Sequence, residues 1–240
     1  LRVQDLRNES LEDLEFARDR VVEVGLGFDY LVVTTSSQCY VYNLGNLNTP
    51  IIFDIKAPPS FLHLSHKHFL TLDQISGIQV ISYEGRILCS PRFQGLRAEY
   101  LTRDMIALSP DVVAVVDSVE SKNIMFLDAM SGKVVNKLHH VAEVTEIALN
   151  QGVTGPGDLR ILAFTDKNRD LYVANLTASS SSSGGSTGSK GMGGGASGAN
   201  SVISARIGSN AATPATENFL AVDAGDIVIN GQALGAISAT

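Results

Sequence analysis

The 240-residue chain contains no tryptophan and only two cysteines, Cys39 and Cys89. A repeat signature that depends on tryptophan cannot be met in full. The two thiols each sit inside an apolar stretch with no metal-ligand residue beside them. Buried free thiols in a reducing compartment are the expectation, and a disulfide between them stays open because sequence does not give their separation. Long apolar runs are missing too. None approaches the roughly 18 residues that a membrane span needs, and the start, Leu1-Arg2-Val3-Gln4-Asp5, lacks the apolar stretch of a signal peptide. A soluble, intracellular chain with no membrane span is expected. There is no Lys/Arg run either: 18 basic residues face 25 acidic ones, for a net charge of −7. This balance speaks against nucleic acid as a partner.

Charge itself runs out near Leu176. Beyond it the only charged residues are Lys190, Arg206, Glu217, Asp223 and Asp226. From Thr177 to Ser201 the chain is almost entirely Ser, Gly and Ala, with nothing large enough to repay an ordering cost of about 1–2 kcal/mol per residue. The expected organisation is a folded region over 1–176, a flexible low-complexity Gly/Ser linker over 177–201, and a segment 202–240 that holds either further strands completing a structural unit or an unrelated tail.

What is abundant is short apolar runs in pairs. Hydrophobic residues make up 44% of the chain, enough for a sizeable core. The pairs are Tyr30–Thr34 with Gln38–Tyr42, His68–Leu72 with Gly77–Ser82, Val112–Val116 with Asn123–Leu127, and Arg160–Phe164 with Asp170–Ala174. Val, Ile, Tyr and Phe dominate them, and polar turn residues separate the members, so each pair reads as a β-hairpin. Entry points at Leu31, Phe69, Val113 and Leu162 recur after about 38, 44 and 49 residues, near the period of about 40–50 expected of propeller blades.

Flanking runs bring each unit to four strands. Val21–Leu26, Phe61–Leu64, Met105–Leu108 and Val144–Leu149 serve as inner strands, although Val144–Leu149 also fits a turn of helix. Ile51–Ile55, Arg86–Ser90, Val134–Lys137 and Val202–Ile207 serve as outer ones. The fold class is therefore all-β, with β-propeller blades of four antiparallel strands and a disordered Gly/Ser-rich insertion after the third strand of the fourth unit. Glu9 to Arg20 fits either a short amphipathic helix or an extended lead-in. A fifth hairpin is suggested by Asn218–Val222 and Asp226–Asn230. In the first hairpin, alternation puts Leu31 and Val33 on one face and Val32 on the other, and sets Cys39 and Val41 opposite Tyr40 and Tyr42, so Val33 and Val41 should be buried.

Several stretches carry a resemblance. They are Asp13-Leu14-Glu15-Phe16 with Arg18-Asp19-Arg20-Val21, Gln38-Cys39-Tyr40-Val41-Tyr42, Asn48-Thr49-Pro50-Ile51-Ile52-Phe53-Asp54, Ser82-Tyr83-Glu84-Gly85-Arg86, Ser90-Pro91-Arg92-Phe93, and Asp166-Lys167-Asn168-Arg169-Asp170-Leu171. In order and spacing, over roughly residues 11–175, they resemble part of the second β-propeller in the family of the WD-repeat eighty-kilodalton subunit of intraflagellar transport complex B. The resemblance implies a non-enzymatic scaffold or interaction module in cilium assembly and ciliary transport, with other complex B subunits as partners. It also implies a location at the cilium or flagellum, the ciliary base and the cytoplasm. Val222 to Gly231 resembles a short motif of bacterial flagellins, which makes a filament segment in the tail one alternative; a propeller enzyme whose site is assembled from loops is another.

Candidate chemistry is sparse. His63, His66 and His68 cluster, and in a strand 66 and 68 would share a face suited to a metal. Lys67 and a turn fall between them, however, and no carboxylate or thiolate is close, so a solvated turn is expected. His139-His140 is read as a structural hydrogen-bonding pair. Asp158, Asp166 and Asp170 invite a calcium or acid/base reading, but the loop from Asp166 to Asp170 carries two cations and lacks the glycine and terminal glutamate of an EF-hand; aspartate capping of a turn accounts for it. The stretch Gly185 to Gly191 fails as a phosphate loop because Ser189 and Gly191 stand where Gly and Ser or Thr are required. No catalytic, cofactor-binding or metal residue is assigned, and a binding platform is the default function.

Overall fold

The computed structural model describes residues 1–4, 11–16, 19–152, 160–176, 203–207, 228–229 and 232–233. The Gly/Ser tract 177–201 and the first arm of the suggested tail hairpin, 218–222, lie outside them.

Within this span the chain makes the same move four times, laying down four consecutive antiparallel strands. The first sheet is β3 (Val21–Gly27), β4 (Tyr30–Thr35), β5 (Gln38–Asn43) and β6 (Asn46–Asp54); the second is β7 (Phe61–Leu64), β8 (His68–Asp73), β9 (Gly77–Ser82) and β10 (Ile87–Cys89). The third is β11 (Ile106–Leu108), β12 (Val112–Val116), β13 (Asn123–Asp128) and β14 (Val134–His139). The fourth is β15 (Val144–Leu149), β16 (Arg160–Asp166), β17 (Leu171–Leu176) and β18 (Ile203–Ile207). The fold is all-β and built of four-stranded propeller blades. Two-residue strands Val228–Ile229 (β19) and Gln232–Ala233 (β20) pair with each other, flanking Asn230-Gly231 in sequence.

Two expectations needed the structure to settle them. Val144–Leu149 is a strand. A register shift between Val144 and Glu146 puts Val144 and Ile147 on the same buried side, and that bulge is what gives the sequence its three-residue, helix-like spacing. In the lead-in, β1 (Arg2–Gln4) pairs with β2 (Leu11–Asp13), and Leu14 and Phe16, two residues apart, pack on one cluster. Among the described residues 11–16 a period of two, not 3.6, applies. Met105 belongs to a short 3-10 turn, Arg103–Met105, and β11 starts one residue later.

The chain divides into two units, Leu1–Arg92 and Phe93–Thr240. In the first, Val32, Cys39 and Val41 of the first blade meet Leu62, Phe69, Ile81 and Tyr83 of the second, and Tyr30 stacks on Tyr83 with ring centroids 3.7 Å apart and planes 3° from parallel. The opposite face of the first blade, Leu31, Val33 and Tyr42, is covered by Val3, Leu14, Phe16 and Tyr40. Paired residues Val32↔Val41 and Leu31↔Tyr42 thus fall on opposite faces, as alternation requires. Blades one and two approach so closely at β3 and β7 that a Cβ on Gly25 would land on the Leu62 and Leu64 side chains. In the second unit, Ala107, Ala114, Val116, Ile124 and Phe126 of the third blade pack on Val144, Ile147, Leu149, Leu162, Phe164 and Ala174 of the fourth. At about 1.5–3 kcal/mol for each fully buried large side chain, these blade-to-blade layers dominate stability.

Candidate functional site

The three clustered histidines are not assembled into one site. His68 opens β8 and is fully buried, contrary to the solvated turn expected of it; His63 is half-buried with its ring edge-on to Phe61; His66 alone sits at an exposed tip, against the Phe28 ring at 4.3 Å. The strand resumes at His68 because Phe69, Leu70 and Leu72 register against Leu64, His63 and Phe61 of β7 and against the β9 strand, and this carries His68 inward with them. Among the described residues no group of three or more His, Cys, Asp or Glu is placed to hold a metal. Both cysteines are buried free thiols, and burial pushes that of Cys39 up to about 12, which leaves it unreactive.

The sequence separates His140 from Asp166, and the second unit brings them together. His140 Nε2 lies 3.5 Å from Asp166 Oδ2, with side chains only 6% and 1% exposed. The imidazole sits edge-on to Phe164 and Tyr172, and the Tyr172 hydroxyl is 3.5 Å from the same carboxylate oxygen. Asp166 also caps its own turn, accepting from the backbone N–H groups of Asn168 at 2.9 Å and Asp170 at 3.1 Å and from the Asn168 side chain at 3.1 Å. Burial alone would raise the Asp166 pKa; the N–H groups of Asp170 and Asn168 outweigh it and hold the carboxyl below the usual range. Burial lowers the His140 pKa, with Asp166 pulling the other way. The neighbouring His139 Nδ1 meets Asn123 Oδ1 at 2.7 Å. Flanked by the Phe164 and Tyr172 rings and by turn backbone, the His140–Asp166 pair is shielded from solvent. It works as a strut between the strand leaving the third blade and a hairpin turn of the fourth. Asp158 and the stretch 185–191 lie outside the described residues.

Two further polar contacts joining distant residues escaped sequence reading, since nothing in spacing marks them. Arg160, its side chain 3% exposed, reaches Asp111 on the β11–β12 turn with Nη2, while Nη1 donates to the Asn150 and Gly152 carbonyls at 2.6 and 2.9 Å. Asp19, two residues ahead of β3, accepts from both hydroxyls of the β4–β5 turn: Ser36 Oγ on one oxygen and Ser37 Oγ on the other at 2.7 Å, where the Ser37 N–H also donates at 3.0 Å. Hydrogen bonds from Ser36, Thr35 and Ser37 keep the Asp19 carboxyl well below the usual carboxylate range. The described surface includes exposed apolar residues: Val24 and Leu26 lie on one face of β3 and are 39% and 67% exposed.

These features describe a module of packed blades, and comparison with known sequences places it. The family model described as the IFT80 second beta-propeller matches residues 1–186, a wider span than the 11–175 read from the motifs. The chain belongs to the IFT80 second beta-propeller family. Its curated relatives include the intraflagellar transport protein 80 homologs of Mus musculus and Rattus norvegicus, each 41% identical over 181 residues. These alignments cover 73% of this chain but 23% of each relative, so the chain spans about a quarter of their length. Among solved structures, Kluyveromyces lactis Hsv2 is similar in fold alone, with a TM-score of 0.50 and 14% identity over 72% of this chain and 54% of that one. No helix among the described residues is long and apolar enough to cross a membrane.

Proposed function

We propose that this IFT80-family chain is a non-enzymatic interaction module of intraflagellar transport complex B, acting as a scaffold in cilium assembly and ciliary transport. The observation that carries the reading is the 41% identity to intraflagellar transport protein 80 homologs across 181 residues. The site chemistry is consistent with it: the buried polar groups, His140, Asp166 and Arg160, are spent on joining strands and turns, and exposed apolar residues such as Leu26 suit protein contact. Its partners on this reading are other complex B subunits, and its location is the cilium or flagellum, the ciliary base and the cytoplasm.

The test is affinity capture of the tagged 240-residue chain from ciliated cells, alongside a Val33→Asp control whose first blade is disrupted. The reading expects complex B subunits to be captured by the native chain at least about tenfold above the control. Equal recovery from both, together with turnover in a broad hydrolase screen, would replace it with the reading of a loop-assembled enzyme.

A further inference from the structure

In three of the four blades, an aspartate closing or just following the second strand caps the turn to the third. Asp73, Asp117 and Asp166 each accept from backbone N–H groups two and three or four residues ahead: Ile75 and Ser76 at 2.7 and 2.5 Å, Val119 and Glu120 at 2.9 and 3.4 Å, and Asn168 and Asp170 at 2.9 and 3.1 Å. The first blade differs. Thr35 stands at the end of β4, its hydroxyl accepts from the Gln38 N–H at 3.0 Å, and the carboxylate comes from Asp19, some 17 positions away. The local hydroxyl cap on the Ser37 and Gln38 N–H groups is supplemented by a carboxylate from a position outside the hairpin. A few positions before Asp19, Leu14 and Phe16 pack onto Leu31, Val33 and Tyr42, with Phe16 edge-on to Tyr40 at 4.9 Å. Both serines are exposed at the hairpin tip.

We propose that the Ser36-Ser37 tip is a phosphorylation site whose modification releases Asp19, and with it Leu14 and Phe16, from the first blade. The donor is a nucleoside triphosphate brought by a protein kinase. The serine Oγ–P bond forms as the terminal phosphoanhydride bond breaks, the nucleoside diphosphate leaves, and the hydroxyl proton passes to the kinase's base. The consequence follows from charge. A hydroxyl that donates to Asp19 becomes a phosphate carrying about −1.5 to −2 at pH 7, facing a carboxylate at hydrogen-bonding distance. Attraction turns to repulsion, and the apolar face beneath Leu14 and Phe16, now buried, becomes exposed. The proposal stands on the first unit's geometry and does not depend on the complex to which the chain belongs.

The test places phosphoserine at position 37 of the full chain during synthesis and compares amide hydrogen exchange with the unmodified chain. Exchange at Leu14, Phe16, Leu31 and Val33 should rise at least about tenfold, while Phe126 and Leu162 of the second unit stay within about twofold. In an Asp19→Asn background, where no carboxylate opposes the phosphate, the same modification should change exchange less than about twofold. A phosphorylated chain that keeps its protection at Leu14 and Val33 overturns the switch. Mass spectrometry of chain isolated from its source cells with phosphatases inhibited should find phosphate on the peptide containing Ser36-Ser37. Complete coverage of that peptide without phosphate overturns the site.

Discussion

Val33 and Val41 have 0% and 3% of their surface exposed, and they point to opposite sides of one sheet. An aspartate at either position would bury an unpaired charge. Val33→Asp and Val41→Asp should each cost several kcal/mol against a typical total of about 5–15, read as a collapse of the urea unfolding midpoint. At His140 the expected effect is one of pH. Burial favours the neutral ring in the folded chain, so the unfolded chain binds the proton more readily; this contribution is complete above pH 6.5 and fades as pH falls below it. Asp166, held below the ordinary carboxylate pKa of 3.8, acts later in the same direction: its contribution is present above that value and is lost as pH falls through its folded-state pKa. Urea midpoints measured from pH 7.5 down to 5 should therefore decline, and the decline should be shallower in His140→Gln.

Strands are where the sequence spoke most clearly, because a propeller strand's two apolar faces and polar turns are local signals. Phe61–Leu64, Gly77–Ser82 and Val112–Val116 appear with the bounds that apolar runs suggested. Bulges were not legible, since one extra residue in β15 looks the same as a helical step until its partner strand is known. Long-range polar pairs were not legible either: Arg160 and Asp111 are 49 positions apart, and His140 and Asp166 meet only once both hairpins have formed. Between elements, the close passage of β3 over β7 makes Gly25→Ala an overpacking change, expected to cost about 1–3 kcal/mol in chemical denaturation. Arg160→Met leaves the Asn150 and Gly152 carbonyls without their buried donor and should cost a similar amount, about 1–3 kcal/mol. Asp111→Asn should cost less, because Asp111 is 46% exposed and water can replace the arginine.

For the molecule as a whole, Cys39 offers a clock for opening of the first unit. Its thiol is enclosed by the Val32–Phe69–Ile81 layer and stays protonated at neutral pH. A thiol reagent should label it about 10³-fold or more slowly in buffer than in denaturant, and labelling at the denatured rate in buffer would show that the two blades do not stay closed on one another.

The stacked rings of Tyr30 and Tyr83 give that same junction an optical voice. With six tyrosines and no tryptophan in the chain, ultraviolet emission is tyrosine emission throughout, with no indole to drain or mask it. Two phenols face to face at 3.7 Å, one on each blade, form a coupled chromophore that exists only while the blades touch. Its near-ultraviolet dichroism should vanish as they part, and Tyr30→Phe should remove that signal without removing the stack, so the seam between the first two blades can be watched in the native chain with no label attached.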